Sequence, residues 1–452
     1  EGRRPGAKGQ CREPGVPVTT GVDEVGSSLL RERMRSALAE RVGISRRKAT
    51  MAVLLSGAFT VSFAITLLVV VLDTVARDLD STVSVVSWSI TAPMLVFAVV
   101  GPAFGTLGDL LGHKRVFVFG LLGAGVFAGL AALAPNAISL IVLRTLSAAC
   151  GSAIGPAGMA FTSRLFEPHE RVRPLGVWSF VTAGAPVLGV VAGVPLVSSV
   201  GWRIIFLVQA PLCVVGALIA WWLLRDTERR PGAKFDIGGA LTLGSGTALV
   251  LLGINRGGAW GWTSPSIIAF LLAGVAVLFA FVQVERRVEA PMVPPAWFRT
   301  RNIAFPVMSQ SLANFGYMGA FMIVPQMLQH GAGLSLATVG WLIIARPLTF
   351  AIVAPIGANV TMRTGERFAG MFGSMTVFTS MVILSTVRTD TPLWLIAFGL
   401  ALSGLGLGLA SPAMTSLLAN AVDDAQLGAA SAMQQLVSQM GALLGATVMI
   451  TV

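Results

Sequence analysis

The sequence predicts an all-α protein that crosses a membrane many times. Of its 452 residues, 54% are hydrophobic and only 12% are charged, whereas soluble domains are about 25% charged. Several stretches without any charge reach the roughly 20 residues that a helix needs to cross a bilayer. A β-barrel would instead show short segments of alternating hydrophobicity. The 51 glycines also fit helices that pack closely in lipid.

Apolar runs predict thirteen spans, preceded by a polar tail. Residues 1–48 are rich in Gly, Pro and Arg, and we expect a disordered basic tail. Pro135-Asn136 divides the run 116–163 into two helices. Because the chain begins at Glu1 and ends within an apolar run, we expect it to be a fragment. The predicted spans are 50–72, 83–107, 115–134, 137–163, 174–199, 203–225, 237–254, 264–284, 303–327, 335–358, 367–387, 392–418 and 427–452.

The distribution of Lys and Arg predicts the orientation of these spans. Most of the basic residues outside the spans fall in the tail and in the loops on its side, and such loops are typically cytoplasmic. We therefore expect a multi-pass protein of the cell (plasma or inner) membrane with a cytoplasmic amino terminus. This bias accounts for the net charge of +11, so nucleic acid is not expected as a partner.

The reactive side chains do not predict an enzyme. The three cysteines and three histidines have no metal-ligand spacing, so no metal or cofactor is expected. No set of a nucleophile and a base stands out. The chain also lacks the Gly-x-x-x-x-Gly-Lys-Ser/Thr loop that an ATP-driven pump would need.

Two cytoplasmic turns share a pattern. "GTLGDLLGHKR" (105–115) ends the second span, and "GANVTMRTGER" (357–367) ends the tenth. Each begins with a glycine and has another glycine shortly before its last basic residues, although the second turn lacks the aspartate. A repeated half is typical of transporters. The seventh and eighth spans would lie between the two halves.

"GTLGDLLGHKR" resembles the loop motif of the major facilitator superfamily, Gly-x-x-x-Asp-Arg-x-Gly-Arg-Arg/Lys. Leu110 and His113 stand where that motif has other residues. Over about 50–452 the chain resembles the fourteen-helix drug/proton antiporter branch, also in "GWRIIFLVQAPL" (201–212), "FDIGGALTL" (235–243) and "WGWTSP" (260–265). The matching motif residues are Gly105, Asp109, Gly112, Lys114 and Arg115.

The resemblance implies a major facilitator fold of two six-helix bundles plus two inserted helices, with the last helix missing from this fragment. The bundles would be 49–226 and 291–452, with the extra helices in 227–290. It implies a secondary active transporter that exports small amphipathic compounds or drugs by proton antiport with alternating access. We expect this transporter to be a monomer. The alternatives are a facilitator or differently coupled carrier, and a membrane receptor or scaffold that does not transport.

The loop motif predicts a latch on the cytoplasmic side. Gly105 and Gly112 would allow close approach and a tight turn. Asp109 at a helix end would pair with loop cations or with a facing helix N-terminus. Such a contact would hold this side closed in one state. The alternative is a basic loop that only maintains the topology.

Arg144 lies inside the fourth span, where a charge costs about 2.5–3.5 kcal/mol on insertion scales. We expect it to face the interior. The resemblance implies a role in proton transfer, together with Asp109, although Ser147 stands where the family has Gln. The alternative is an arginine that extends to the outer interface.

The fifth span resembles the family's antiporter motif at Ala185, Pro186 and Gly189, with generic helix packing as the alternative. Polar stripes at helical spacing predict a cavity lining, with interhelical hydrogen bonding as the alternative. One stripe is in the ninth span and one in the thirteenth. Their residues are Gln310, Asn314 and Tyr317, and Ser431, Gln435 and Ser438.

Three further positions bear on coupling. The pair Arg346-Pro347 interrupts the tenth span and predicts either a second interior site or a structural contact. Asp73 follows about 36 Å of helix after Lys48 at 1.5 Å per residue, so we expect it at the outer mouth. Ala64 stands where the resemblance implies the carboxylate of the first helix.

Overall fold

A computed structural model describes residues 46–70, 72–167, 170–226, 236–288, 291, 293–328, 333–334, 336–388 and 391–451. Within these ranges the chain forms helices and turns and no strand. Nearly all of the predicted tail, up to residue 45, lies outside them.

The described helices alternate with short turns. In chain order they are α1 (Arg46–Val70), α2 (Leu72–Asp78), α3 (Val83–Val86), α4 (Trp88–Leu111), α5 (His113–Ala132), α6 (Ala137–Gly151), α7 (Ile154–Leu165), α8 (Val172–Val200), α9 (Ile204–Leu223), α10 (Ile237–Trp260), α11 (Pro265–Glu285), α12 (Arg301–Gln326), α13 (Leu336–Thr364), α14 (Glu366–Ser385), α15 (Leu393–Ala419) and α16 (Leu427–Thr451).

These helices confirm the predicted class, an all-α polytopic membrane protein. Within the described part of the chain, nine segments are long and apolar enough to cross a membrane, and they correspond to predicted spans two to four, six to eight and ten to twelve. The other four predicted spans are also helical, as α1, α8, α12 and α16, each of 25 to 29 residues.

The division predicted at Pro135-Asn136 is confirmed. Asn136 caps α6, because its side-chain oxygen accepts a hydrogen bond from the Ser139 N–H at 2.9 Å. This capping satisfies an amide that the helix itself leaves unpaired. The Ser139 side chain returns a hydrogen bond to the Asn136 backbone, which completes a capping box.

The fourth predicted span contains a break that the sequence analysis does not predict. It consists of α6 and α7, separated by a turn at Ser152 and Ala153. Pro156 explains the position, since a proline has no N–H to donate and its ring clashes with the carbonyl four residues earlier, here that of Ser152.

The two halves contact each other through equivalent helices. The second span of the first half, α4, packs on α16, the fifth span of the second half. Reciprocally, α8 packs on α13. The turns that follow α4 and α13 also match, with Gly112 at φ +95° and Gly365 at φ +91°, a region that favours glycine. Matching turns and reciprocal helix contacts are what two equivalent halves would produce, and the division into two bundles at 49–226 and 291–452 stays a prediction.

At the opposite end of the helices, Asp78 joins two turns. Its carboxylate accepts a hydrogen bond from the Trp202 Nε1–H at 2.9 Å and pairs with the Arg203 guanidinium. The hydrogen bond from the Trp202 N–H is the largest cause that holds the pKa of Asp78 below its usual value, and the hydrogen bond from Arg203 is the second.

Asp73 and Ala64 lie in α2 and α1, but their side chains are outside the described part, so their predicted roles stay predictions.

Candidate functional site

Asp109 lies near the end of α4 and reaches the N-terminus of α16 in the other half of the chain. Its Oδ2 accepts a hydrogen bond from the Ala429 N–H at 3.0 Å, and its Oδ1 accepts one from the Gly428 N–H at 3.3 Å. The first amides of a helix have no partner within the helix and form the positive end of its dipole. A carboxylate that is only 6% exposed is therefore well stabilised there. We call this end of the helices the motif end.

Two further side chains, an imidazole and a guanidinium, complete the surroundings of Asp109. His113 Nε2 lies 3.0 Å from Oδ1, and Arg164 Nη2 lies 3.3 Å from the same oxygen. Arg164 also donates to the backbone carbonyl of Asp424 from Nη2 at 2.7 Å and from Nε at 3.1 Å. Arg164 thus bridges α4 in the first half to the turn before α16 in the second.

Arg171 makes a second bridge between the halves, beside the first. This buried side chain donates from Nε to the Ser163 carbonyl at 2.7 Å. Its Nη2 lies 2.9 Å from Asp424 Oδ1, and its Nη1 lies 3.2 Å from the side-chain oxygen of Asn420. Three charged residues of the first half, Asp109, Arg164 and Arg171, therefore hold the region before and at the start of α16.

The other predicted motif residues have separate positions. A Cβ atom on Gly428 would lie 2.6 Å from the carbonyl oxygen of Gly105, so α4 and α16 approach closely at two glycines. Gly112 forms the turn with positive φ. Lys114 Nζ lies 5.3 Å from the centre of the Trp221 ring, and Arg115 is exposed. The described contacts of Asp109 are with His113, Arg164 and α16.

Arg144 occupies an interior position on α6 and is 8% exposed. Its Nε donates to the backbone carbonyl of Ser89 at 2.8 Å, and its guanidinium carbon lies 5.3 Å from the centre of the Phe206 ring. The hydrogen bond and the aromatic ring stabilise a charge that would be costly in lipid. An arginine that extended to the outer interface would be exposed, and this one is not.

A cavity adjoins Arg144 between α4, α6 and α9. It offers about 110 Å³ to water-sized molecules, whereas one water needs about 10–15 Å³ on this measure. Most of its wall is apolar. The polar side chains on the wall are Arg144, Ser147, Gln209 and Gln439. A mostly apolar wall with a few polar groups is typical of a small-molecule site, and Gln209 and Gln439 are members that the sequence analysis does not predict.

The pattern of the Major Facilitator Superfamily matches residues 54–285 and 307–451. The chain belongs to the major facilitator superfamily. It is therefore a multi-pass membrane transporter, and the members of this family carry small molecules.

Similar proteins place this transporter beside drug-efflux carriers. It is 31% identical to the puromycin resistance protein of Streptomyces alboniger over 415 residues, which are 90% of this chain and 82% of that one. It is 26% identical to the tetracenomycin C resistance and export protein of Streptomyces glaucescens, with 87% and 73% covered. The crystal structure of the human organic anion transporter MFSD10 has the same fold, at a TM-score of 0.67, 16% identity and 89% and 92% coverage.

One of the three predicted helix-five residues, Gly189, lies against α1. Ala185 is fully buried. A Cβ atom on Gly189 would lie 2.6 Å from the carbonyl oxygen of Phe63 in α1, so a larger residue there would push the helices apart. Pro186 lies within α8, and its side chain is outside the described part.

The polar stripes face the interior, but they do not line the cavity beside Arg144. Gln310 and Tyr317 are buried, and Asn314 donates to the Gln310 carbonyl at 2.8 Å. Gln435 lies against Gly155, and Ser438 is half-buried. The described wall of that cavity includes Gln439 instead. A cavity-lining role for the five predicted residues, Gln310, Asn314, Tyr317, Gln435 and Ser438, stays a prediction.

The pair Arg346-Pro347 lies within one continuous helix, and its role as a second interior site or a structural contact stays a prediction. Helix α13 continues through both residues from Leu336 to Thr364. Proline is tolerated in membrane helices because neighbouring groups and local adjustments satisfy the freed backbone groups.

Among the described residues, no three His, Cys, Asp or Glu side chains form a group that could hold a metal ion.

Proposed function

We propose that this transporter exports small amphipathic compounds, including drugs, across the inner membrane by proton antiport with alternating access. The observation that carries the proposal is the contact of Asp109 with the N-terminus of α16, because it joins the two halves at one end. Alternating access requires contacts that close one end in one state and separate in another. The names of the two Streptomyces relatives, which refer to resistance and export, support the direction of transport.

In this proposal the motif end is cytoplasmic, as the Lys and Arg distribution predicts, and the protein acts as a monomer in the lipid bilayer. The charged residues Asp109, Arg164 and Arg171 act as the latch. Arg144 and Asp109 are the proposed proton-coupling residues. The cavity beside Arg144 supports this assignment, since it brings a buried cation next to a space large enough for several waters.

A second candidate function is a facilitator or a carrier with another coupling. Proton coupling usually uses a titratable carboxylate within the membrane. Among the described residues the buried acids are Asp109, Asp236 and Glu285, and each lies at or next to the end of a helix. Ala64 stands where the resemblance implies a carboxylate, and this missing carboxylate also favours the second candidate. A scaffold without transport is disfavoured by the elaborate contacts around Asp109.

Dye efflux from cells tests both candidates. We expect cells that express the full-length gene to export ethidium faster than cells with an empty vector, and a protonophore to abolish the difference. Asp109→Asn, expressed at an equal level, should remove most of the efflux. Equal efflux from both cell types would contradict export, whereas export that persists with the protonophore would favour the second candidate.

A further inference from the structure

Arg346 is fully buried, at 0% exposure, yet its guanidinium lacks hydrogen bonds. None of its three nitrogens has a hydrogen-bond partner within the described part of the chain. An arginine carries five N–H donors and stays charged in proteins. Buried charges are otherwise paired or hydrogen-bonded. The group is thus prepared to bind an acceptor that the chain itself does not supply there.

The surroundings of Arg346 are aromatic and apolar. Its guanidinium carbon lies 3.6 Å from the centre of the Tyr317 ring, and Phe350 packs edge-on against Tyr317 with 6.1 Å between ring centres. Ala313, Val377 and Leu407 surround Tyr317. The buried acids of the described chain are at helix ends elsewhere, and no ion pair involving Arg346 occurs in this part of the molecule.

The backbone holds Arg346 on the interior side of α13. The exposed residues of this helix, including Trp341, Leu348 and Ile352, form a different face that is suited to lipid. On the interior side, a Cβ atom on Gly408 of α15 would lie only 3.0 Å from the Phe350 carbonyl oxygen. Thr349 also donates to the Ala401 carbonyl at 3.0 Å. Because α13 packs this tightly on α15, the arginine is held in place.

We propose that Arg346 and Tyr317 form an anion site in the second half, which binds the carboxylate of an aromatic cargo molecule. The planar fork of an arginine matches the two oxygens of a carboxylate, and the rings of Tyr317 and Phe350 offer faces to an aromatic body. Arg144 differs, since its Nε already donates to the Ser89 carbonyl. The inference rests on the proposed transport function and names a substrate class. The site is closed in this structure, so cargo enters it in another state of the cycle.

The single tyrosine of the chain allows a direct test. Tyr317 is the only tyrosine in the 452 residues, so 3-fluorotyrosine labelling of the purified protein in lipid nanodiscs gives one ¹⁹F signal for this chain. We expect sodium benzoate to shift that signal saturably, and benzamide, its neutral counterpart, to leave it unchanged. Arg346→Gln should weaken benzoate binding at least about tenfold, as expected for a hydrogen bond to a charged group.

Two further variants control for structural effects. Arg346→Lys keeps the charge but loses the fork, and it should bind benzoate more weakly than the parent. Arg256→Gln removes an arginine that also stacks on an aromatic ring, with its guanidinium carbon 3.7 Å from the centre of Trp88, and it should bind as the parent does. Size-exclusion profiles check that each variant is folded.

The proposal is wrong if benzoate produces no shift, or if benzamide shifts the signal equally. It is also wrong in its assignment to a cargo carboxylate if sodium chloride at the same concentration reproduces the shift. Ethidium export by the parent protein, measured in parallel, separates this site from transport itself, since ethidium is a cation and carries no carboxylate. If the parent binds benzoate but does not export ethidium, the proposed export is rejected and the anion site is kept. If the parent exports ethidium but does not bind benzoate, the anion site is rejected and the proposed export is kept.

Discussion

At the scale of single residues, the environment of Arg144 explains how a charge is kept inside the membrane. Its Nε donates to one carbonyl, its plane lies near one aromatic ring, and the remainder of the guanidinium borders a cavity. The hydrogen bond and the ring reduce the cost of burial, and the cavity leaves space for water or cargo. The group is therefore anchored beside a space that water or cargo could enter, as the proposed coupling role requires.

We expect Arg144→Lys to lower dye efflux at least about tenfold, although the charge is kept. A lysine has a single ammonium and no planar fork, so it cannot both donate to the Ser89 carbonyl and face Phe206 in the same way. Arg203→Lys is the matched control, because Arg203 also stacks on a ring, that of Trp202, but is largely exposed. Rates in inverted vesicles at equal protein level provide the measurement. Efflux by Arg144→Lys at the parent's rate would exclude a specific role for the guanidinium.

The residues around Asp109 also show which side-chain contacts a single sequence reveals. The motif predicts that Asp109 meets either cations or a helix N-terminus, and the structure shows both. The particular partners could not be predicted, since Gly428 and Ala429 lie more than 300 residues further along the chain. Arg164 and Arg171 looked like ordinary basic loop residues, because only the folded arrangement shows that Asp424 lies opposite them.

At the scale of elements, helices can be predicted from the sequence where local residues determine their length and their ends. Apolar length predicts the spans, and the side chain of Asn136 marks the start of α6. Prolines are harder to interpret. The sequence analysis expects no break at Pro156, where α6 and α7 separate, whereas α13, which packs on α15, continues through Pro347. A proline permits a break, and tertiary contacts determine whether the helix has one.

Close helix contacts give the prediction at this scale. A Cβ atom on Gly428 would lie 2.6 Å from the Gly105 carbonyl oxygen and 2.8 Å from Asp109 Oδ1. We expect Gly428→Ala to displace the start of α16 from Asp109, at a cost of about 1–3 kcal/mol for overpacking. Its melting temperature should fall and its dye efflux should decrease.

Gly101→Ala is the matched control, because no heavy atom lies within 4 Å of a Cβ atom at Gly101 on α4. This variant should melt at or above the temperature of the parent, since alanine favours a helix over glycine. Fluorescence melting curves in detergent compare the two variants. If they melt at the same temperature, the glycine contact does not determine the packing of α4 on α16.

At the scale of the whole molecule, the two predicted halves are joined by reciprocal helix pairs and by the charged contacts of Asp109, Arg164 and Arg171. The repeat in the loop sequences predicts equivalent halves, and the equivalence of Gly112 and Gly365 agrees with it. The pairing of α4 with α16 and of α8 with α13 was not predictable, because it depends on which helix faces meet across the interface. The second loop lacks the aspartate, so the contact that we propose as the latch has no direct counterpart at that loop.

A disulfide across the interface tests whether the halves must move apart. A Cβ atom on Gly184 of α8 would lie 3.7 Å from the Cβ of Ala351 of α13, which is close to the mean of about 3.8 Å in disulfides. We expect the double variant Gly184→Cys, Ala351→Cys to lose dye efflux on oxidation and to regain it on reduction, because the crosslink joins the halves. Gly129→Cys, Ala210→Cys is the control. That pair lies within the first half at 3.3 Å, and its oxidation should leave efflux unchanged. Full efflux by the crosslinked interface pair would show that transport does not require α8 and α13 to separate, and loss of efflux in both pairs would point to general rigidity instead of the interface.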